Sequence, residues 1–292
     1  SMGLNIVFGI DTTTAAAISG ILGILLFASP KMGGVLDNTA KVLGTVMLVL
    51  IGYVAFSTNP PIAEAATHAI VPTNYPWLAT ITLIGGTVGG YITFSGGHRL
   101  IDAGITGREH LKDVRRAAFM GMSVDAIVRI LLFLAVLGVV SMGFALDPKD
   151  PAGSAFLLGA GEIGHKLFGI VFFCAALTSV VGAAYTSVSF LKTLFKVVER
   201  YEKLTIMAFI FVSTCILIFI GKPATLLIVA GSVNGLILPV TLAVMLLATR
   251  KTNIVGDYKH NPVLFYTGWI VVLVTAYIGV TSCLLYTSDA AD

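Results

Sequence analysis

The sequence predicts an all-α membrane protein, and three observations predict it. Only 11% of the 292 residues are charged and 57% are hydrophobic, where a soluble domain carries about 25% charged residues. Eight apolar runs approach the roughly 20 helical residues that cross a hydrocarbon core of about 30 Å. The basic residues between those runs alternate in density, as they do in loops on opposite faces of a bilayer.

The eight runs are 5–29, 38–57, 76–97, 117–143, 166–191, 204–220, 223–249 and 263–282. They are too long and too uniformly apolar for barrel strands, which alternate, so helices are the expected spanning form. Polar and proline-rich punctuation separates them. Ser29-Pro30-Lys31 stops the first. Pro60, Pro61, Pro72 and Pro76 bound the loop before the third. Asp147-Pro148-Lys149-Asp150-Pro151 bounds the fourth, and Pro262 opens the last. Segment 5–29 is too long for a signal-peptide core and lacks a basic flank.

One set of alternate loops holds Lys31, Lys41, Arg99, Arg108, Lys112, Arg115, Arg116, Lys192, Lys196, Arg200, Lys203, Arg250, Lys251 and Lys259. The other holds Lys149, Lys166 and Lys222, and Arg129 lies within a span. By the positive-inside rule the first set is cytoplasmic. Segment 5–29 then enters from outside, and further helices are expected upstream of it. The expected setting is a bacterial inner (plasma) membrane.

The net charge of +3 is small, and nothing points to nucleic acid. Cys174, Cys215 and Cys283 have no CxxC spacing, so neither a zinc nor a redox motif is indicated. No Ser/His/Asp or paired-His constellation suggests an enzyme, and no resident cofactor is called for.

The third run carries the chemistry. It places six glycines within the thirteen residues from Gly85 to Gly97. Each costs about 1 kcal/mol against alanine in a helix interior. A helix weakened at 85–91 exposes carbonyls, which is tolerated only where the chain is buried in protein or lines a watery cavity. Transporters place cation sites at such breaks. Close packing of small residues, for which Gly86-x-x-x-Gly90 fits the template, explains the same spacing.

Gly85-Gly-Thr-Val-Gly-Gly-Tyr-Ile resembles the sixth helix of the NRAMP divalent-metal transporters, which reads Gly-Ala-Thr-Val-Met-Pro-His-Asn. A basic loop after it and a small-residue-rich helix at 175–189 follow the same order. The nearest likeness is to the NRAMP-related magnesium transporter branch, over residues 5–282. This resemblance implies a LeuT-type inverted-repeat transporter fold, with eight transmembrane helices present of about eleven. Residues 5–57 would end the first repeat, 76–249 would form the second, and 263–282 would be an additional helix. The family's first helix, with its Asp-Pro-Gly-Asn break and metal-binding aspartate, has no counterpart in these residues, so half a site is expected. The run 283–292 resembles translated sequencing adapter.

Residue by residue, the family's carbonyl-donating alanine falls at Gly86. Its metal-binding methionine falls at Gly89, and its proline and histidine fall at Gly90 and Tyr91. A second histidine, associated with proton movement, falls at Gly96. The arginines of its ninth helix have no match in 204–220. Loss of a soft thioether removes the preference for transition metals, and a hard, reluctantly dehydrated cation suits an oxygen-lined site. The expectation is membrane transport of a divalent metal ion, foremost Mg²⁺ and then Mn²⁺, without proton coupling. A proton-coupled Mn²⁺/Fe²⁺ carrier, an amino-acid carrier of LeuT type and a non-transporting membrane subunit stand as alternatives. Candidate binding residues are Gly86, Thr87, Gly89, Gly90, Tyr91, Thr93 and Asn234.

Ionisable groups inside a membrane are candidates by default. Asp125 and Arg129 are four apart on the fourth run and form either a structural pair or part of a gate. His98 caps the third run or lines an inner vestibule. Asp11 belongs at the outer interface or in the span. Ser232 and Asn234, in Gly231-Ser232-Val233-Asn234-Gly235 before Pro239, mark a second glycine-rich interruption.

Overall fold

The computed structural model describes residues 1–28, 30–88, 97, 100–101, 103–148 and 150–289, with the backbone alone for 28, 30–41 and 283–289. The secondary structure among these residues is helical. Five helices are long and apolar enough to cross a membrane, or up to seven if each of two sharply bent pairs counts as one span.

The first bend falls inside run 5–29, which was expected to be a single helix. Helix α1 (Met2–Phe8) and α2 (Thr12–Ala28) meet at 114°. Gly9 ends α1 in the left-handed region at φ 67°, where glycine carries no Cβ penalty. The Asn5 side chain donates to the Ile10 carbonyl at 2.9 Å. Asp11 then caps α2 by accepting from the Thr13 N–H at 3.0 Å, which satisfies one orphan donor and places negative charge at the helix's positive end.

The second bend, 103°, joins α3 (Pro30–Ser57) to α4 (Ile62–Ile70). Pro60 and Pro61 lie between them, after Asn59 at φ 45°. Helix α5 (Trp77–Val88) is the described part of the third run. Then come α6 (Leu111–Ser141), α7 (Pro151–Leu194), the short α8 (Lys196–Arg200), α9 (Glu202–Ile220), α10 (Pro223–Ala248), the short α11 (Thr252–Val255) and α12 (Pro262–Asp289).

Helix α7 starts fifteen residues before its expected boundary at 166. Asp150 caps it by accepting from the Gly153 N–H at 3.0 Å, and Pro151 occupies the first turn, where its missing N–H costs nothing. Gly161, at φ 68° and ψ −171°, breaks the helix before its membrane portion.

The chain packs as two compact units, Ser1–Pro72 with Leu100–Ala224 and Thr73–Arg99 with Thr225–Asp292. In the first, α7 packs against α1 and α3, and α9 against α2. Ile51 and Val54 of α3, Ala135 and Val139 of α6, and Phe156 and Phe168 of α7 form its main core. Phe156 and Phe168 stack with centroids 4.4 Å apart. A second cluster joins Ala184 and Val188 of α7 to Ile206 and Ile210 of α9. The Lys192–Glu202 ion pair, 2.9 Å, closes the turn between those helices.

In the second unit, α5 and α12 both pack on α10. Gly279 of α12 lies against Leu236, and Gly268 against Leu246.

Candidate functional site

Helix α5 starts where Pro76 ends the preceding loop, with the Thr80 N–H donating to the Pro76 carbonyl at 2.9 Å. Tyr75, Trp77 and Tyr277 cluster around this end, Trp77 tilted against Tyr75 and edge-on to Tyr277, with centroids 4.3 and 5.7 Å apart. Interfacial membrane positions favour such amphipathic rings. The threonines of α5 bond back to the preceding turn, Thr80 to Pro76 and Thr82 to Leu78, at 2.9 and 2.7 Å. Thr87 does the same to the Leu83 carbonyl. Hydroxyls in an apolar helix are satisfied this way.

The glycine-rich stretch expected to unwind at 85–91 is helical through Val88. Gly85 and Gly86 have opposite surroundings. Gly85 is buried, and a Cβ on it would run into the Gly231 carbonyl oxygen and the Gly235 nitrogen. Gly231 in turn sits against Thr82, where an added Cβ would lie 3.0 Å from the Thr82 carbonyl oxygen, and Gly235 sits against Ile81. Gly85 therefore seats between the two glycines of Gly231-x-x-x-Gly235, with backbone touching backbone. Gly86 is exposed, and a Cβ there would meet open space.

Helix α10 runs unbroken through 231–235, so the expected second interruption is a packing seam. It has one chemical consequence. Pro239 lies inside the helix and lacks the N–H that would donate to the Gly235 carbonyl four residues back.

Ser232 meets the Thr82 hydroxyl at 2.8 Å. Asn234, two residues on, projects about 160° away around the helix, since successive residues turn by about 100°. Ser232 and Asn234 thus flank the glycine seam on opposite sides and do not converge. Asn234 is half-buried and has no hydrogen-bond partner among the described residues.

On the Ser232 side lies a cavity of about 200 Å³, lined by Leu78, Ile81, Ile228, Val229, Ser232, Val233, Leu236 and Ser282. Among the described residues the Ser282 hydroxyl is buried without a partner. Thr82 and Ser282 are the residues that the sequence reading passed over. Thr82 has its partner 150 positions away, and Ser282 is one hydroxyl in an apolar run. The Gly231-x-x-x-Gly235 template was the legible signal.

Of the other candidates, Thr87 is exposed on α5. Gly89, Gly90, Tyr91, Thr93 and His98 lie outside the described residues. Asp125 and Arg129 do pair, Arg129 Nε donating to Asp125 Oδ2 at 2.8 Å with both side chains nearly half exposed. Asp11 is the α2 cap. Among the described residues no group of three or more His, Cys, Asp or Glu side chains is placed to hold a metal. The polar groups at the crossing are hydroxyl, carbonyl and amide oxygens.

A family profile, "Natural resistance-associated macrophage protein-like" (Nramp), matches residues 1–285. The chain belongs to the Nramp family. That membership points to divalent-metal transport across a membrane by a transporter, not an enzyme. Two bacterial relatives match along nearly the whole chain. One, from Haemophilus influenzae, is described as "Uncharacterized membrane protein". It is 48% identical over 288 residues, which are 99% of this chain and 72% of the relative. The other, from Bacillus subtilis, is described as "Uncharacterized membrane protein YcsG". It is 48% identical over 279 residues, 96% of this chain and 69% of the relative. With the apolar helices, these matches make the chain an integral membrane protein of the family.

Proposed function

We propose that this Nramp-family chain forms part of a pathway for a hard divalent cation, foremost Mg²⁺ and then Mn²⁺, moving down its electrochemical gradient without a coupled proton. The observation that carries the reading is the family match over residues 1–285. The chemistry at the α5–α10 crossing gives its direction. The position of the family's methionine is Gly89, so no soft ligand competes there. The Gly86 carbonyl, the Gly235 carbonyl freed by Pro239, and the Asn234 amide are oxygen donors, as a partly hydrated Mg²⁺ prefers. Gly89, Gly90, Tyr91, Thr93 and the exposed Thr87 complete the proposed path, with His98 at its cytoplasmic end.

The LeuT-type inverted-repeat arrangement, with its division at 5–57, 76–249 and 263–282, belongs to this proposal. So does the bacterial inner membrane as its site.

A second reading has its own observation. The cavity of about 200 Å³ beside Ser232 and Ser282 is mainly apolar, which suits a small organic solute carried by the same fold better than a bare cation.

Proteoliposomes decide between them. The protein, and in parallel its longer Bacillus subtilis relative, is reconstituted with a trapped Mg²⁺ indicator and a trapped pH indicator. A Mg²⁺ gradient should give cation entry with no matching acidification. Acidification in step with Mg²⁺ entry would defeat the uncoupled part. Uptake of amino acids without cation flux would transfer the case to the organic carrier.

A further inference from the structure

The segment between α10 and α12 builds a cationic cavity. Its volume is about 400 Å³. At about 30 Å³ per water, that holds far more than a bare ion. Arg250, Lys259 and His260 line it, with hydroxyls from Thr249, Thr252 and Tyr258.

Among the described residues no carboxylate pairs with Arg250 or Lys259, and Asp257, the acidic residue of the same segment, is not part of the lining. The Arg250 guanidinium lies 4.2 Å from the centre of the Phe265 ring, a cation–π contact that orients it. The Tyr258 hydroxyl stands 3.5 Å from His260 Nδ1. The occupant that fits must therefore bring negative charge and accept several hydrogen bonds at once, which is the chemistry of a phosphate group.

Its place in the fold selects the source of that phosphate. Helix α10 ends at Ala248, one residue before the cavity lining begins, and the membrane-length part of α12 begins at Pro262, which also lines it. The cavity thus lies where two spans leave the apolar layer, on the face that the basic residues mark as cytoplasmic. Val255 and Phe265 add an apolar wall. A phosphate on a hydrocarbon anchor meets both surfaces, and basic pockets between spans on this face bind anionic headgroups.

We propose that Arg250, Lys259 and His260 form a binding site for the phosphate of an anionic phospholipid. The site is independent of which solute the chain moves.

The test is native mass spectrometry of the purified protein titrated with phosphatidylglycerol or with phosphatidylcholine of the same chains. Wild type should hold phosphatidylglycerol about 10- to 30-fold more tightly, as two nearby basic groups imply. Lys259→Gln changes an exposed side chain, so it should fold and lose part of that preference. Arg250→Gln with Lys259→Gln should lose it wholly, while Lys112→Gln with Arg115→Gln, elsewhere on the same face, should keep it. Equal binding of both lipids by wild type would overturn the site. Displacement of the lipid by millimolar inorganic phosphate would overturn the lipid as its ligand in favour of a free anion.

Discussion

Gly85 rests against the Gly231 carbonyl with no room for a methyl group between them. One residue later, Gly86 faces open space. The two glycines should therefore respond oppositely to the same substitution. Gly85→Ala forces α5 off α10 and should cost about 3 kcal/mol or more, since overpacking a close contact costs 1–3 kcal/mol and backbone cannot yield as a side chain does. Gly86→Ala should be neutral or gain up to about 1 kcal/mol from helix propensity. Thermal unfolding in detergent reads both. Equal losses would mean that the two helices do not cross at Gly85.

The Thr82–Ser232 hydrogen bond spans the same crossing at 2.8 Å. Each hydroxyl also lies within reach of a carbonyl of its own helix, Leu78 for Thr82 and Ile228 for Ser232, so one donates across the crossing while the other donates back. Removing one partner therefore leaves the other satisfied. Thr82→Val and Ser232→Ala should each be mild, with a coupling of about 0.6 kcal/mol, the usual size for interhelical hydrogen bonds in membranes. A double-mutant cycle on unfolding free energy measures it, and zero coupling would dissolve the pair.

Each of the eight apolar runs contains a helix, because hydropathy and length read membrane helices directly. Direction is another matter. Run 5–29 bends at Gly9 and Asp11, and a hydropathy average cannot see a turn made by two small residues. The local signals were present: a glycine that ends one helix and an aspartate that caps the next. Residues 151–165 fall outside the apolar runs, yet Asp150 caps a helix there and Pro151 opens it. At the site the failure is of another kind. Gly231 and Gly235 predict a weak helix by propensity, yet α10 is continuous, because Gly85 of α5 packs into the gap they leave. Tertiary contact overrides local preference there, and no window of sequence contains both sides of that contact.

Ser282 carries a hydroxyl that is buried with no partner among the described residues. Such a group carries a desolvation cost of about 1–3 kcal/mol that nothing returns. Ser282→Ala should accordingly raise stability by about 1 kcal/mol, visible as a higher Tm. A fall in Tm would mean that the hydroxyl holds a water or solute in the cavity beside Ser232.

Asp125 and Arg129 form a single ion pair on one face of an apolar helix, with side chains 48% and 42% exposed. Neutralising one partner strands the other charge in α6, where a lone charge costs about 2.5–3.5 kcal/mol on insertion scales. Asp125→Asn and Arg129→Gln should each reduce the yield of folded protein, and the double variant should recover much of it. The exchanged pair, Asp125→Arg with Arg129→Asp, separates structure from gating. The exchange keeps the contact but reverses the order that the helix dipole favours, a loss of a few tenths of a kcal/mol. A purely structural pair predicts normal folding and normal cation flux in the exchanged protein. Normal folding with abolished flux would instead place the pair in the transport pathway, because only a passing ion distinguishes which charge comes first.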